Sequence, residues 1–424
     1  MRFIADLHIH SSYSRATSRD MVPEGVWKWA QLKGITVVGT GDFTHPKWFA
    51  ELEEKLEPTG HGLFLLKEAL CRKDGVPRPC VGEVFFLLSS EISCIYKKNG
   101  RTRKIHCLIF MPDLIRAARL NLALSRIGNI TSDGRPILGL DAKELLKMTL
   151  DIAPDAMFIP AHAWTPHFSI FGAASGFDAM EECFEELTPH IYAVETGLSS
   201  DPPMNWRLSA LDHLSLISNS DAHSPAKMGR EANLFETDIS YDAITEGIRT
   251  KKGFLGTIEF FPEEGKYHYD GHRACGVSYA PPDTILHGYV CPMCGKRLTI
   301  GVAHRVEVLA DREAGFRPPR ALPYRCLIPL PEILGEALGT GAGSKAVHEE
   351  YVRLLSTLGN EFNILLDAPL PDIERVASPM IAEAIRRVRQ GLVTIKPGYD
   401  GEYGRVKIFE ERERREIKGQ GSLL

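Results

Sequence analysis

The sequence has no apolar run near the roughly 18 residues that a membrane-crossing helix needs. It has no excess of positive charge, since 50 Lys and Arg against 55 Asp and Glu leave a net charge of −5. Any contact with nucleic acid must therefore rest on local basic patches, because overall charge gives no attraction to phosphate. The N-terminus lacks a secretory pattern: Arg2 is followed by only three apolar residues before Asp6, so a cytoplasmic protein is expected. An even disulfide framework is missing too, because nine cysteines are spread over 424 residues. Cys71, Cys80, Cys94, Cys107 and Cys183 stand singly and read as small buried hydrophobes. No internal repeat and no long low-complexity segment is visible. What remains is a chain of ordinary charge content, 44% hydrophobic and long enough for two or three cores.

From residue 1 to about 262 one theme recurs: a short apolar run ends in a polar cluster, and a helical pattern follows. Phe3-Ile4-Ala5 leads to His8 and His10, Ile35 to Gly39 leads to Asp42, and Val84 to Leu88 leads to Glu91. Ile105 to Phe110 carries His106 near its start, Ala156 to Ile159 leads to His162, Tyr192 to Val194 leads to Glu195, and Leu214 to Ile217 leads to Asp221 and His223. Helices are predicted over 24–33, 48–56, 142–150 and 241–250. Short, wholly apolar strands alternating with helices predict a mainly parallel sheet buried on both faces. Polar residues at strand ends suit a β/α barrel, whose site forms at one rim.

His8 and His10 alternate along an extended segment, so both rings face one side. Two imidazoles on one face form a metal clamp. Asp221-Ala222-His223 repeats the idea, and Glu91, His106 and His162 also fall at strand boundaries. So many acids and imidazoles on one rim would be costly to bury without cations to neutralise them. His45, His61, His167, His190, His213 and His348 carry no such pattern and read as ordinary core or surface residues.

The segments Asp6-Leu7-His8-Ile9-His10-Ser11, Gly41-Asp42, Ser89-Ser90-Glu91, His106, His162 and Ser220-Asp221-Ala222-His223 resemble the PHP (polymerase and histidinol phosphatase) metal-dependent phosphoesterases. The resemblance implies an α/β fold, a distorted seven-stranded β/α barrel, and two or three divalent ions (Zn, Mn or Mg). It assigns His8, His10, Glu91 and Asp221 to one metal and to catalysis. Glu91 would bridge to a second metal on His106 and His162, and His223 would serve a third, with Asp42 counted among the ligands. Two positions depart: Phe43 stands where the family has His, and Arg15 where many members have a ligand, leaving Asp42 or His45 as substitutes. The implied chemistry is attack of a metal-bound hydroxide on phosphorus.

From about 263 the texture changes. His272-x2-Cys275 followed by Cys291-Pro292-Met293-Cys294-Gly295 has structural zinc spacing, with His268 and His287 as alternatives to His272. A barrel followed by such a module resembles endonuclease Q. The likeness is carried by Tyr13-Ser14, the segment from Pro160 to Pro166, Phe168-Ser169-Ile170-Phe171-Gly172, the segment from Glu195 to Pro202, Met204-Asn205-Trp206-Arg207, the segment from Gly229 to Asn233, and Asp270-Gly271-His272-Arg273. It implies a repair endonuclease that cleaves DNA 5′ of uracil, hypoxanthine, xanthine or an abasic site, leaving a 3′-hydroxyl and a 5′-phosphate. Such an enzyme must extrude the damaged nucleotide. Tyr13, Trp164, Phe168 and Phe171 are candidates for its pocket or wedge, and Arg207 and Arg230 for phosphate. A histidinol-phosphate type phosphatase and a non-catalytic DNA-binding protein are the alternatives.

Gly339-Thr340-Gly341-Ala342-Gly343-Ser344-Lys345 is no nucleotide loop, because Ser344 precedes the lysine and Ala346 follows it. A helix, glycine turn and helix, with Lys345 facing a DNA phosphate, is expected instead. The terminal Gln420 to Leu424 shares part of a sliding-clamp peptide without its aromatic pair. The expected division is a phosphoesterase domain over 1–262, a zinc module over 263–310 and a helical domain over 311–424.

Overall fold

The computed structural model describes residues 1–410 and Glu413. The segment 420–424, which shares part of a sliding-clamp peptide, lies outside the described residues. In chain order the first elements are β1 (Arg2–Asp6), α1 (Pro23–Lys33), β2 (Val37–Gly39), α2 (Pro46–Lys55), β3 (Leu56–Pro58), β4 (Phe64–Leu66), β5 (Phe85–Lys98) and β6 (Arg101–Met111). Then come α3 (Leu114–Ser125), β7 (Ile137–Leu138), α4 (Ala142–Ile152), β8 (Met157–Pro160), α5 (Met180–Phe184), β9 (Ala193–Glu195), α6 (Pro202–Asn205) and β10 (Ser215–Ile217). β11 (Ala232–Glu236), α7 (Tyr241–Thr250) and β12 (Phe254–Glu259) follow.

The helices start where local chemistry stops other conformations. Asp113, Asp141 and Ser240 each accept a hydrogen bond from a backbone N–H of the turn they precede, and Pro23 and Pro46 occupy first-turn positions. The sheet is mixed rather than mainly parallel. β1, β2 and β5 run parallel, but β5 and β6 form a long antiparallel hairpin, and β6–β8, β1–β11 and β11–β12 are antiparallel. The β5–β6 reversal comes from the two-residue Asn99-Gly100 turn with both φ positive, which folds the chain straight back. Inward-facing side chains of β1, β2, β5, β6, β8, β9 and β10 meet in one buried cluster that includes Phe3, Leu87, Phe110, Ile159 and Ile217. β9 and β10 pair in parallel, and β9 lies beside β8.

Beyond β12 come β13 (Asp270–His272), β14 (Val277–Tyr279), α8 (Pro281–Leu286), α9 (Val302–Leu309) and β15 (Tyr324–Cys326). After them lie α10 (Leu330–Leu338), α11 (Lys345–Leu358), α12 (Leu370–Val376), α13 (Pro379–Arg389), β16 (Thr394–Lys396) and β17 (Arg405–Lys407). The stretch after 311 is thus not purely helical: β15 joins the main sheet parallel to β12, and β16 and β17 form a hairpin. The helices share the outer core with the sheet. They are also tied to α1 by an ion pair between Lys33 and Glu361 at 2.8 Å, both side chains under 5% exposed. Tyr351 and the Leu330 backbone complete the shell of Glu361.

Candidate metal centre

β1 runs on in extended form through His10. Asp6, fully buried, accepts hydrogen bonds from the backbone N–H groups of Ser220 (3.0 Å) and Gly229 (2.9 Å), and burial pushes its carboxyl up to about 6. His10 N donates to Ala222 O at 2.9 Å. These bonds press the loop carrying Asp221 onto the His8–His10 segment. Gly39 allows the next strand equally close, because a Cβ there would lie 2.3 Å from Leu7 O. Asp42, His162 and Asp221 all have positive φ, a left-handed geometry uncommon outside glycine and often found where a site imposes it.

Glu91 lies inside β5, not at its end, and its two oxygens divide the work. Oε1 is 2.6 Å from His106 Nδ1 and 2.9 Å from His162 Nε2. Oε2 is 3.4 Å from His10 Nε2 and 3.7 Å from His8 Nε2. Asp221 Oδ1 is 3.0 Å from His10 Nε2 and 3.8 Å from His8 Nε2. Two donor groups sharing Glu91 result: His8, His10, Glu91 and Asp221, and Glu91, His106 and His162, each with donor atoms within 4.8 Å of one another. His8 Nε2, His10 Nε2 and Asp221 Oδ1 are buried without a hydrogen-bond partner. Buried polar atoms are rarely left so, and a cation between them removes the cost. The donor set therefore fits divalent ions.

The far side of each ring is also held. Glu195 sits 3.0 Å from His8 Nδ1 and also accepts from His162 N and Asn219 Nδ2, both at 2.9 Å. Asp42 sits 3.0 Å from His10 Nδ1 and accepts from Ser11 N (2.6 Å), Ser11 Oγ (2.7 Å) and Ser14 Oγ (2.8 Å). A carboxylate on Nδ1 keeps a proton there and leaves Nε2 free to ligate. Burial lowers the basicity of His8 and His10, but Glu195 and Asp42 respectively outweigh it, so both rings stand well above their ordinary range without a cation. His106 is pushed down to about 4 by burial, which its pairing with Glu91 does not offset.

Several expected assignments change. Asp42 falls outside both donor groups and stands behind His10, its oxygens engaged by His10, Ser11 and Ser14. His223 turns Nδ1 to the Asp221 carbonyl at 2.9 Å and falls outside both donor groups. Phe43 is core, Arg15 has an 83% exposed side chain beside Asp133, and His45 caps α2 and reaches Thr131 O at 3.0 Å. Trp164 and Phe171 are also core: both are fully buried, their rings pack at 5.0 Å, and Trp164 Nε1 donates to Asn205 Oδ1 at 2.8 Å. Arg207 is held by Glu307 and the Arg312 carbonyl, which leaves little for a phosphate. Phe168 stays at the rim, its ring 4.7 Å from that of His106. Tyr13 is half-buried, donates to Glu51 at 2.7 Å and stacks on His45. Lys345 opens α11, freely exposed, after the expected glycine turn.

Glu195 and Arg135 enter the site without having been selected from sequence. Glu195 ends an apolar run, the same signal as for Glu91. Arg135 stands in an irregular loop, with no pattern to mark it. Arg230 Nε donates to Ser220 O at 2.9 Å and lines a cavity of about 580 Å³ with Pro166, Leu198, Lys227, Tyr267 and His268. The Nδ1 of His268 is buried without a partner. Apart from the centre, His272, Cys275, Cys291 and Cys294 bring one donor atom each within 4.8 Å. His287 instead stacks on Tyr279.

A family model described as the MJ0043 C-terminal domain matches residues 329–392. The chain is 31% identical over 430 residues to the uncharacterized protein YqxK of Bacillus subtilis, covering 96% of this chain and 99% of that one. It is 31% identical over 279 residues to the uncharacterized protein MJ0043 of Methanocaldococcus jannaschii, covering 62% of this chain and 34%, about a third, of that relative's length. The crystal structure of the lesion-specific endonuclease PfuEndoQ from Pyrococcus furiosus superposes with a TM-score of 0.85 at 33% identity, covering 100% of this chain and 99% of that chain. A crystal structure of endonuclease Q with a 27-mer duplex bearing an abasic lesion at the active site superposes with a TM-score of 0.82 at 33% identity, covering 97% and 98%.

Proposed function

Because the chain belongs to the endonuclease Q family, we propose that it is a metal-dependent DNA repair endonuclease, hydrolysing the phosphodiester 5′ of a deaminated base or abasic site to a 3′-hydroxyl and a 5′-phosphate. The observation that carries this reading is the pair of donor groups sharing Glu91, beside a cavity large enough for a nucleotide. Divalent ions bound there supply Lewis acidity and activate water at neutral pH. The chain's own residues set the geometry: Glu195 and Asp42 fix the ring tautomers of His8 and His10, and Glu91 spans the two groups. Phe168 stands beside His106 and Arg230 between Asp221 and the cavity, where an extruded nucleotide would be held.

The basic face of the β16–β17 hairpin supports a DNA partner. Lys396, Arg405 and Lys407 share one face of the ladder, are exposed or nearly so, and have no ion-pair partner among the described residues. Tyr403 and Gly404, at the base of β17, also line the cavity. The Cys–His cluster at 263–310 is read as a structural zinc module, and the helices after 311, with the glycine turn before Lys345, as a further phosphate contact.

The test uses labelled duplexes carrying one uracil, one hypoxanthine, one abasic site or no lesion, with Mn, Mg or Zn. Incision one bond 5′ of the lesion is expected, and loss of at least about a thousandfold in Asp221→Ala. Turnover of a phosphomonoester with no incision would overturn the proposal in favour of a small-molecule phosphatase. Binding without incision would leave a non-catalytic DNA-binding protein.

A further inference from the structure

Arg135 is the one Lys or Arg among the described residues that forms an ion pair with a member of either donor group. Its Nη1 lies 2.9 Å from Glu91 Oε2, the oxygen that faces His8 and His10. The other oxygen is taken by His106 and His162, so the guanidinium approaches the shared carboxylate from the open side.

The loop presenting Arg135 is pinned on both flanks. Gly134 N donates to Tyr13 O at 3.0 Å, and Pro136 O accepts from Ser93 N at 3.0 Å on β5, two residues past Glu91. Asp133 Oδ1 accepts from Arg135 N itself at 3.2 Å. Position 134 tolerates no side chain, because a Cβ would lie 2.3 Å from Asp42 Oδ2 and 2.4 Å from Ser14 Oγ. The loop is thus keyed into the carboxylate that orients His10. A guanidinium offers five N–H donors; one goes to Glu91 and the side chain is 28% exposed, so donors remain for a ligand. Arg keeps its charge at every working pH.

We propose that Arg135 is a phosphate-binding catalytic residue: it holds a non-bridging oxygen of the scissile phosphodiester and stabilises the charge that grows there as the bond to the leaving oxygen breaks. This rests on the phosphodiesterase reading above. A fixed guanidinium suits a phosphoryl oxygen by geometry and charge, and its donors need no reorganisation during reaction. The competing role is a counter-ion for Glu91 alone, made redundant once cations are bound.

The two roles separate by experiment on the metal-loaded full chain. Arg135→Gln, with Arg135→Lys as the conservative control, is compared with wild type for metal content, for inorganic phosphate affinity by calorimetry and for single-turnover incision of lesion duplex. Arg135→Gln should keep its metals, bind phosphate at least tenfold more weakly and incise about a hundred- to a thousandfold more slowly, the usual loss for one oxyanion donor. Arg135→Lys should fall between, and added guanidinium should restore part of the rate to Arg135→Ala. Unchanged phosphate affinity with metals retained would overturn the proposal, and so would loss of metal in proportion to activity. Absent incision by wild type together with an Arg135-dependent phosphate affinity would sink the lesion reading and leave this site standing.

Discussion

The two clusters of metal-binding residue types are built in opposite ways. At the centre, donors arrive from five separated segments, all but Asp221 under 10% exposed, and Glu195 and Asp42 orient rings from behind. At the Cys–His cluster, four donors lie within 23 residues, Cys294 is exposed, and the adjoining apolar cluster is only Val277, Cys291 and Leu298 with Cys275 and Tyr279 beside it. The centre is built by a fold that large cores already stabilise. The Cys–His cluster has too little apolar burial to hold its own shape, so a bound ion would have to organise it. The difference teaches that donor spacing identifies a metal site, whereas the burial around it decides whether metal makes the structure or the structure makes the site.

The largest effect should come from breaking the weaker side. Cys291→Ser should release one metal ion per chain and expose 263–310 to proteolysis, while the main thermal transition stays near its original temperature. A single cooperative loss of the whole fold would erase the contrast. The next test removes a buried charge from the well-packed side. Glu361→Gln leaves Lys33 buried without a counter-charge and should cost about 3–5 kcal/mol, read from the denaturant midpoint with metals present or chelated alike. A cost that vanishes on chelation would mean that the fold depends on the centre's ions after all. Glu195→Gln should be milder still, weakening metal at the centre about ten- to a hundredfold and leaving the Cys–His metal in place.

A last test concerns pH. Glu259 is fully buried, and burial pushes its carboxyl up to about 8, though Thr257, Thr196 and Ser218 donate to it. Raised in the fold above its unfolded value, it favours folding below about pH 4.5, and that benefit is lost as pH rises towards 8. Stability should therefore decline over that window by up to about 1.4 kcal/mol per pH unit from this group, and Glu259→Gln should flatten the slope. Glu264, raised to about 7, would leave a residue of it. A slope unchanged in Glu259→Gln would mean that the group is ionised in the fold.

Much of the centre could be read in the chain because its chemistry is periodic. His8 and His10 alternate, Asp221 and His223 repeat that spacing, and apolar runs point at Glu91, His106 and His162. The four helices expected in the first 262 residues appear within two residues of their predicted starts and ends. What sequence could not separate is a member of a donor group from the group behind it: Asp42 and Asp221 both follow apolar runs, and only distance to His10 Nδ1 or Nε2 distinguishes them. Nor could it say which aromatics are buried. Trp164 and Phe171 sit near Phe168 in sequence, yet only Phe168 reaches the rim. Arg135 was invisible because its meaning lies in an approach to Glu91 across 44 residues. The parallel sheet failed at a hairpin that the Asn99-Gly100 pair announces.

The placement of β15 beside β12 has a mechanical outcome. The chain leaves the sheet after Glu259 and comes back to pair Tyr324 with Thr257 and Cys326 with Glu259. Everything between, the Cys–His cluster included, is an excursion anchored at both feet. It is also pinned between its feet, where Arg305 donates to the Phe171 and Phe177 carbonyls and Arg273 N donates to Asp400, so it cannot drift as a beaded tail would. Its encounter with a long, stiff ligand would then sacrifice little rotational freedom.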